Sequence, residues 1–324
     1  MDALSSVLKS VRLEGAVFLN AQFAAPWCIR GRFGLARAKQ RIPSADHVVF
    51  FHFLVHGRCK VRLAGSPVED AMEASAGDVI LLPQDDRYVM GSDLHLVPMD
   101  TDNVDAAAAA AEDEFIQMRH GDAHTGTRFV CGYLGCNQSS IRPLIRALPR
   151  LACIPIGDGE AMALLRELLR VGVRESLAPR PGAEPMSAKL AELIFVEALR
   201  RYAQMLPPEV SGWFAAVRDA HVGRALALLH EEPGKAWTVD DLAREVALSR
   251  SALAERFTSL VGEPPIQYLI RWRLALAAQV LRTSTEAIAR IAARSGYESE
   301  ASFTRAFKRE FGLPPAAWRR ARSP

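Results

Sequence analysis

The sequence predicts an α+β protein: an antiparallel β-barrel with associated helices over residues 1–206, a linker over 207–218, and an all-α part over 219–324 in which two helix-turn-helix units are joined by a long helix. Three observations carry that expectation. The last third of the chain repeats itself at a spacing of 50 residues. Residues 47–98 alternate short apolar runs with Gly and Pro turns. A Pro207-Pro208 step running to Gly212 divides the two patterns and reads as a semi-rigid linker.

In the repeat, Ser249 is followed by Leu253, Phe257, Gly262 and Pro264-Pro265; Ser299 is followed by Phe303, Phe307, Gly312 and Pro314-Pro315. A fixed period means one structural unit used twice. Each copy is a helix with a Ser N-cap, an apolar inner stripe four residues apart, and a Gly-Pro stop. Before Ser249 come Thr238, another N-cap, and an amphipathic turn through Val239, Leu242, Ala243 and Val246; before Ser299 come Ile288, Ile291, Ala292 and Gly296-Tyr297. The second turn is one residue longer. Both copies therefore give helix, tight turn and helix, the plan in which the second helix enters the DNA major groove.

Charge agrees with that plan. From Arg244 to Pro324 there are 14 Arg and Lys against 7 Asp and Glu, a net of +7; the whole chain is +3, so residues 1–243 carry −4. A basic segment on a slightly acidic remainder points to a polyanion partner for the C-terminal part alone. With Leu253 and Phe303 turned inward, the first outward face carries Ser251, Glu255, Thr258 and Ser259, and the second carries Ala301, Arg305, Lys308 and Arg309, flanked by Ser302 and Thr304. Ala254 and Glu300 complete the expected contact set.

Residues 219–324 resemble the DNA-binding domain of the AraC/XylS family of bacterial transcription regulators. The matching residues are Ile291-Ala292, Gly296-Tyr297-Glu298-Ser299, Phe303, Arg305, Phe307-Lys308 and Phe311-Gly312-Leu313-Pro314-Pro315. The resemblance implies a long helix between the units, which Ile266–Leu281 fits, and two recognition helices in successive major grooves of double-stranded DNA. Arg305 reaches either guanine O6/N7 or a phosphate; Ser251 and Ser302 read bases or bridge to backbone. Glu255 departs from the family pattern, and either accepts from cytosine N4 or, as expected here, pairs with Arg250 or Arg256. Lys308, Arg309, Arg250 and the helix N-termini at Ser249 and Ser299 are expected to grip phosphates. Arg319, Arg320 and Arg322 read as a solvated or weakly nucleic-acid-binding tail.

In the N-terminal part, residues 48–55 form an apolar run before Gly57, Cys59, Val61 and Leu63 alternate with Arg58, Lys60 and Arg62, and residues 77–83 form another run after the Gly65-Ser66-Pro67 turn. Such strands predict an antiparallel barrel or sandwich. The Gly77-to-Pro83 spacing and the pair His52 and His56 are similar to the cupin motifs, so this half resembles the cupin-type sensor domain of AraC relatives. The four cupin metal positions read Phe50, His52, His56 and Tyr88. With half the ligands missing, no metal or other cofactor is expected, and the two His are expected to bond within the barrel.

Helical patterns over 157–175 and 187–205 follow; the second carries Leu190, Leu193, Ile194, Val196, Ala198, Leu199 and Met205, an apolar surplus that either packs on the barrel or forms the two-helix seam of a homodimer. Residues 102–111 (with a run of six Ala) and the Pro-rich 178–185 break the pattern. No apolar run approaches the ~20 residues that cross a bilayer, and the first residues lack a secretory cleavage pattern. Five cysteines, an odd number, fit a reducing cytoplasm. Cys131 and Cys136, with Cys28 as a third partner, are candidate redox-responsive thiols if the nearby Arg30, Arg128 and Arg142 favour thiolate; otherwise they are core fillers.

The expected function is sequence-specific transcription regulation, with the N-terminal half sensing a small molecule or a redox signal, and with RNA polymerase as a partner if the protein activates. The competing classes are a metal-dependent cupin enzyme with a DNA-binding tail, a DNA-repair alkyltransferase and a non-specific nucleoid protein. The missing cupin ligands, the lack of a separate catalytic segment, and the readout groups Ser251, Ser302 and Arg305 weigh against them in turn.

Overall fold

The computed structural model describes residues 2–11, 13–101, 116–121, 126–156, 159, 163–164, 167–168, 181–207 and 210–321. The Ala-rich 102–111, most of the helical pattern over 157–175, the start of the Pro-rich break, Pro208 and Arg322 lie outside them. The chain divides into two compact units. One comprises Leu13–Cys136 and Leu148–Met205, the other Met1–Arg12, Asn137–Ala147 and Leu206–Pro324.

The first unit holds two sheets. Strands β1 (Glu14–Phe23), β3 (His47–His56), β6 (Asp78–Leu82), β9 (Ile116–His120), β10 (Thr127–Cys136) and β11 (Ala152–Pro155) form a six-stranded sheet ordered β11-β6-β3-β10-β1-β9. Strands β2 (Cys28–Gly31), β4 (Arg58–Leu63), β5 (Met72–Ser75), β7 (Tyr88–Gly91) and β8 (Met99–Asp100) form the second, ordered β5-β4-β7-β2-β8. Among the described residues these strands make two open sheets and do not close into a barrel. The edge strands β5 and β8 are only four and two residues long, too short to carry a ladder across to the larger sheet.

Alternation decides what fills the space between the sheets. Phe50 and Leu54 of β3, Phe129, Cys131 and Tyr133 of β10, and Val61, Tyr88 and Met90 of the second sheet meet in one buried cluster. A helix α2 (Leu35–Arg41) contributes Ala38 to it. On the opposite face of β3, Phe51 lies across Gly132, where a Cβ would come within 2.2 Å of the Phe51 ring. No other residue fits there.

Helix α4 (Ala183–Met205) packs on β1, β10 and β11. Its Leu190, Ile194, Ala198 and Leu199 are buried, so most of the predicted apolar surplus is consumed within the chain; Leu193 stays 50 % exposed. Ser187 holds the register by donating to Val17 O and accepting from Val17 N, beside the irregularity between Val17 and Leu19. A bulge leaves backbone groups unpaired, and here a side chain satisfies them.

The second unit is helical. It contains α1 (Ala3–Ser10), α3 (Gln138–Ala147), α5 (Trp213–Arg218), α6 (Ala220–Glu231), α7 (Val239–Glu245), α8 (Arg250–Val261), α9 (Pro265–Thr283), α10 (Ile288–Arg294), α11 (Glu300–Phe311) and α12 (Pro315–Ala321). Residues 213–218, expected as linker, are instead helical with Trp213, Phe214 and Ala216 buried, because an apolar run this dense has to be covered. The Trp213 indole N–H donates to Tyr268 Oη, which also bonds His230 Nε2 at 2.8 Å. Helix α9 serves both repeats: Tyr268, Leu269 and Trp272 face the first, while Leu274, Ala278 and Leu281 join Ile291, Phe303, Phe307 and Trp318 in the second core.

Candidate nucleic-acid interface

The second helices of the two repeats, α8 and α11, are cut to length by the punctuation seen in the sequence. Ser249 accepts from Ala252 N and Ser299 from Ser302 N, both at 3.2 Å, satisfying an otherwise orphaned donor at each N-terminus. Gly262 and Gly312 close the other ends in the left-handed region, at φ 88° and 78°. Leu253 and Phe257, like Phe303 and Phe307, are buried, so the remaining faces are forced outward. Preceding helices α7 and α10 meet them through turns with left-handed residues at Ala247 (φ 53°) and Gly296 (φ 77°).

Outward on α8 lie Arg250, Ser251, Glu255, Thr258 and Ser259; outward on α11 lie Glu300, Ala301, Arg305, Lys308 and Arg309, with Ala254 and Ser302 half-buried at the margins. Ion pairing separates these cations sharply. Arg250 pairs with Asp240 at 3.4 Å, Arg256 with Asp219 at 2.6 Å, Arg271 with Glu263 at 3.1 Å and Arg294 with Glu286 at 3.1 Å. Arg305, Lys308 and Arg309 form no ion pair or side-chain hydrogen bond among the described residues. The outward face of α11 therefore carries three cations that no carboxylate neutralises among the described residues.

Several expectations change. Glu255 pairs with neither Arg250 nor Arg256, since Asp240 and Asp219 have already taken those guanidiniums. Glu255 is exposed on the outward face of α8. The Ser302 hydroxyl donates to Ser299 O at 2.8 Å and accepts from Ser299 Oγ at 3.0 Å, so it serves the cap; Ser251 Oγ lies 3.3 Å from Ser249 Oγ. Glu300 occupies the first turn of α11, where its charge suits the helix dipole and repels a phosphate. Arg319 is no solvated tail: within α12 it donates to the Glu286 carbonyl.

Residues 2–204 match the family model described as a cupin, and residues 242–321 match one described as a helix-turn-helix domain. An AraC-like transcription regulator of Streptomyces lividans is 32 % identical over 99 % of this chain and 98 % of its own length. The chain belongs to the AraC-type regulators with an N-terminal cupin domain. Other full-length relatives of this AraC-type protein are the HTH-type transcriptional regulator AlkR of Acinetobacter baylyi, 29 % identical over 98 % of this chain and 99 % of its own, and the RCS-specific HTH-type transcriptional activator RclR of Escherichia coli, 27 % identical over 98 % and 97 %. It is a DNA-binding transcription regulator.

In its cupin unit, His52 and Cys131 are cross-strand partners on β3 and β10, and their side chains meet with Nδ1 2.7 Å from Sγ. Phe50, Tyr88 and Phe129 approach the imidazole edge-on, and its Nε2 has no hydrogen-bond partner among the described residues. Full burial pushes the His52 pKa down to about 3, so the ring is neutral. His56 lies four residues further along the same strand and is exposed. At ~3.3 Å per residue the two His are about 13 Å apart, too far to share one metal ion. No group of three or more His, Cys, Asp or Glu converges among the described residues.

The thiols are placed unfavourably for a switch. Cys131 and Cys136 sit five positions apart on one extended strand, about 16 Å between Cα atoms, whereas a disulfide needs less than ~7 Å. They also point to opposite faces. Burial pushes the Cys136 and Cys59 thiols up, and pushes Cys153 up to about 12. Cys28 rises for the same reason; the cation that opposes this is Arg62, not Arg30.

Two long-range contacts were not foreseen from sequence. Asp219 caps α6 while binding Arg256, a long-range pairing that no local pattern encodes. The ion pair Arg142–Glu310 at 2.8 Å brings α3 to the end of α11 across 168 residues of chain.

Proposed function

We propose that this AraC-type protein is a homodimeric, effector-responsive regulator that reads double-stranded DNA with α8 and α11 in successive major grooves. The observation that carries it is the uncompensated Arg305, Lys308 and Arg309 face on α11, beside a second repeat of the same plan. Arg305 is the direct base reader, contributing a two-pronged bond to guanine; Lys308 and Arg309 hold phosphates. Glu255, left without a cation, reads cytosine N4 on the other helix. Ser249, Arg250, Ser251, Ala254, Ser299, Glu300, Ala301 and Ser302 line the two contact faces.

The signal is a small molecule rather than thiol oxidation, a choice supported by the burial and separation of Cys28, Cys131 and Cys136. No catalytic step is assigned, in keeping with relatives that are transcription regulators and with cupin positions occupied by Phe50, His52, His56 and Tyr88. The exposed Leu193 on α4 marks the seam for a second copy. The protein acts in the cytoplasm, with RNA polymerase as partner at activated promoters; no helix among the described residues is long and apolar enough to cross a membrane. Selection of bound fragments from a random DNA pool, followed by titration on a selected and a scrambled duplex at two salt concentrations, tests the reading. Equal affinity for both duplexes overturns it.

A further inference from the structure

One side chain of the long helix touches both repeats. Arg273 of α9 donates from Nε to Pro233 O, and from Nη2 to Lys235 O at 2.7 Å. Those carbonyls belong to the loop between α6 and α7, which is braced from within. Lys235 N–H and the Trp237 indole N–H both donate to Glu232 O, and Lys235 Nζ lies 3.7 Å from the Trp237 ring centroid. Thr238, the next residue, caps α7. The position of the loop is therefore handed directly to the first repeat.

The same guanidinium lies against Gly296, in the turn between α10 and α11. A Cβ on Gly296 would sit 2.8 Å from Arg273 Cζ and Nη1, and its φ of 77° already favours glycine. Packing across this seam is loose. A cavity of about 110 Å³ separates Pro233 from Ile291 and Arg294 of α10, with Val280 of α9 beside it. Even at Gly234 there is room for a Cβ, 3.4 Å from Arg294 O. Hydrogen bonds, rather than close packing, tie the loop of the first repeat to the turn of the second. Burial disfavours the charge of Arg273, and no carboxylate pairs with it among the described residues. The two loop carbonyls are the acceptors that hold it.

We propose that Arg273 is the positioning residue that fixes α8 relative to α11, and so sets how many base pairs separate the two DNA boxes they read. This deepens the two-groove reading above and rests on it. Arg273 stands at the handover along α9, between Trp272, which faces the first repeat, and Leu274, which joins the core of the second. A bend of α9 at that point would move one repeat against the other, and the bridge from Arg273 to both opposes it. Successive base pairs differ by about 3.4 Å along the duplex and about 34° around it. Two helices held rigidly therefore accept one box spacing, whereas two helices on a loose seam follow the DNA. Arginine suits the post because its planar fork donates to two carbonyls while lying against a glycine; a lysine ammonium has no such fork.

The experiment uses the full chain as wild type, Arg273→Ala, Arg273→Lys and Gly296→Ala, with thermal unfolding of each. Four duplexes are titrated: the selected one, its versions with one base pair added or removed between the boxes, and the scrambled one. Wild type is expected to lose about tenfold or more in affinity when the spacing changes, the order of one good base contact. Each variant is expected to lose about threefold at most, while still preferring selected to scrambled DNA. Gly296→Ala acts by pushing the guanidinium off its seat, and Arg273→Lys carries the test if either of the other two fails to fold. A folded Arg273→Lys that keeps the spacing discrimination of wild type overturns the proposal, because charge without the fork would then suffice. So does a variant that binds every duplex more weakly by the same factor, which would make Arg273 a structural residue only. Wild type that separates selected from scrambled DNA but tolerates either spacing change overturns the positioning role alone. Wild type that does not separate selected from scrambled DNA overturns the regulator reading instead.

Discussion

Asp219 and Arg256 are joined through one carboxylate oxygen, Oδ2 accepting from Nε at 2.8 Å and from Nη2 at 2.6 Å. The other oxygen accepts from the His221 and Val222 N–H groups at the start of α6. A single side chain therefore caps one helix and fixes the rotation of the first recognition helix against it. Burial alone would raise the Asp219 pKa, but the bonds from Arg256 and Val222 outweigh it and hold the carboxyl below the usual value of 3.8. The stabilisation is present above that pH and lost as acid protonates the group. Asp219→Ala is expected to cost about 1 kcal/mol from the lost cap alone, and Asp219→Asn less, because the amide oxygen still caps. Urea unfolding checks this; equal loss for both variants would place the effect outside the cap.

On DNA, Arg305→Ala should cost roughly 1–3 kcal/mol on the selected site and relax preference at one base pair, while Lys308→Ala should weaken all sequences alike and lower the salt slope by about one. Glu255→Ala removes a negative charge from the reading face, so it should strengthen binding to scrambled DNA while blurring one position of the site. Titrations on both duplexes decide. Equal losses on both for Arg305→Ala would make that residue a phosphate contact.

Acid should destabilise the protein through two buried imidazoles. Burial pushes His52 down to about 3 and His230 down to about 4, against 6.5 when unfolded. Between those values the unfolded chain binds the extra protons, so stability falls as pH drops below 6.5. Each group contributes up to about 1.4 kcal/mol per pH unit in its window. His230→Phe should flatten the slope between pH 6 and 4.5 by about one proton, read from unfolding curves at several pH values. An unchanged slope would mean that His230 is already charged in the folded protein.

Thiol chemistry should be slow in the native state. A chromogenic disulfide reagent is expected to find at most the half-buried Cys153 quickly and all five cysteines only in denaturant. Mild oxidant should leave DNA affinity unchanged. Rapid labelling of Cys131 or Cys136 would restore a redox role for β10.

Two leucines of α4 separate assembly from folding. Leu193→Lys changes an exposed position and should dissociate the proposed dimer with little effect on unfolding, whereas Leu199 is fully buried and Leu199→Lys should unfold the sheet unit. Light scattering beside thermal unfolding tells them apart. A Leu193→Lys protein that remains dimeric moves the seam elsewhere.

Local rules made the DNA-binding end legible. Ser249, Gly262, Ser299 and Gly312 terminate their helices through bonds to residues three or four positions away, so a reader of sequence sees both partners at once. The long helix from Pro265 to Thr283 likewise shows in its own periodicity. What stayed hidden was long-range. Nothing near Glu255 reveals that Asp219, 37 residues from Arg256, has claimed the guanidinium it was expected to pair with. The open sheets differ from a barrel only in which edges pair, and alternation along β3 or β4 is the same in either case. The contact between α3 and the end of α11 had no sequence signal, because Arg142 and Glu310 are 168 residues apart.

Helix α1 buries Ala3, Leu4 and Val7 in the same compact unit as α6, its packing partner. The ribosome delivers these two helices far apart in time. Between Ser10 and Ala220 lie about 210 residues, so at roughly 5–20 residues per second the apolar side of α1 waits on the order of 10–40 s for its neighbour to emerge. Until then its native cover is limited to the smaller contact with α3. Cellular folding of this protein should depend on shielding the apolar side of α1 during synthesis, and changes in translation speed between codons 10 and 220 should alter the soluble yield without altering the finished molecule.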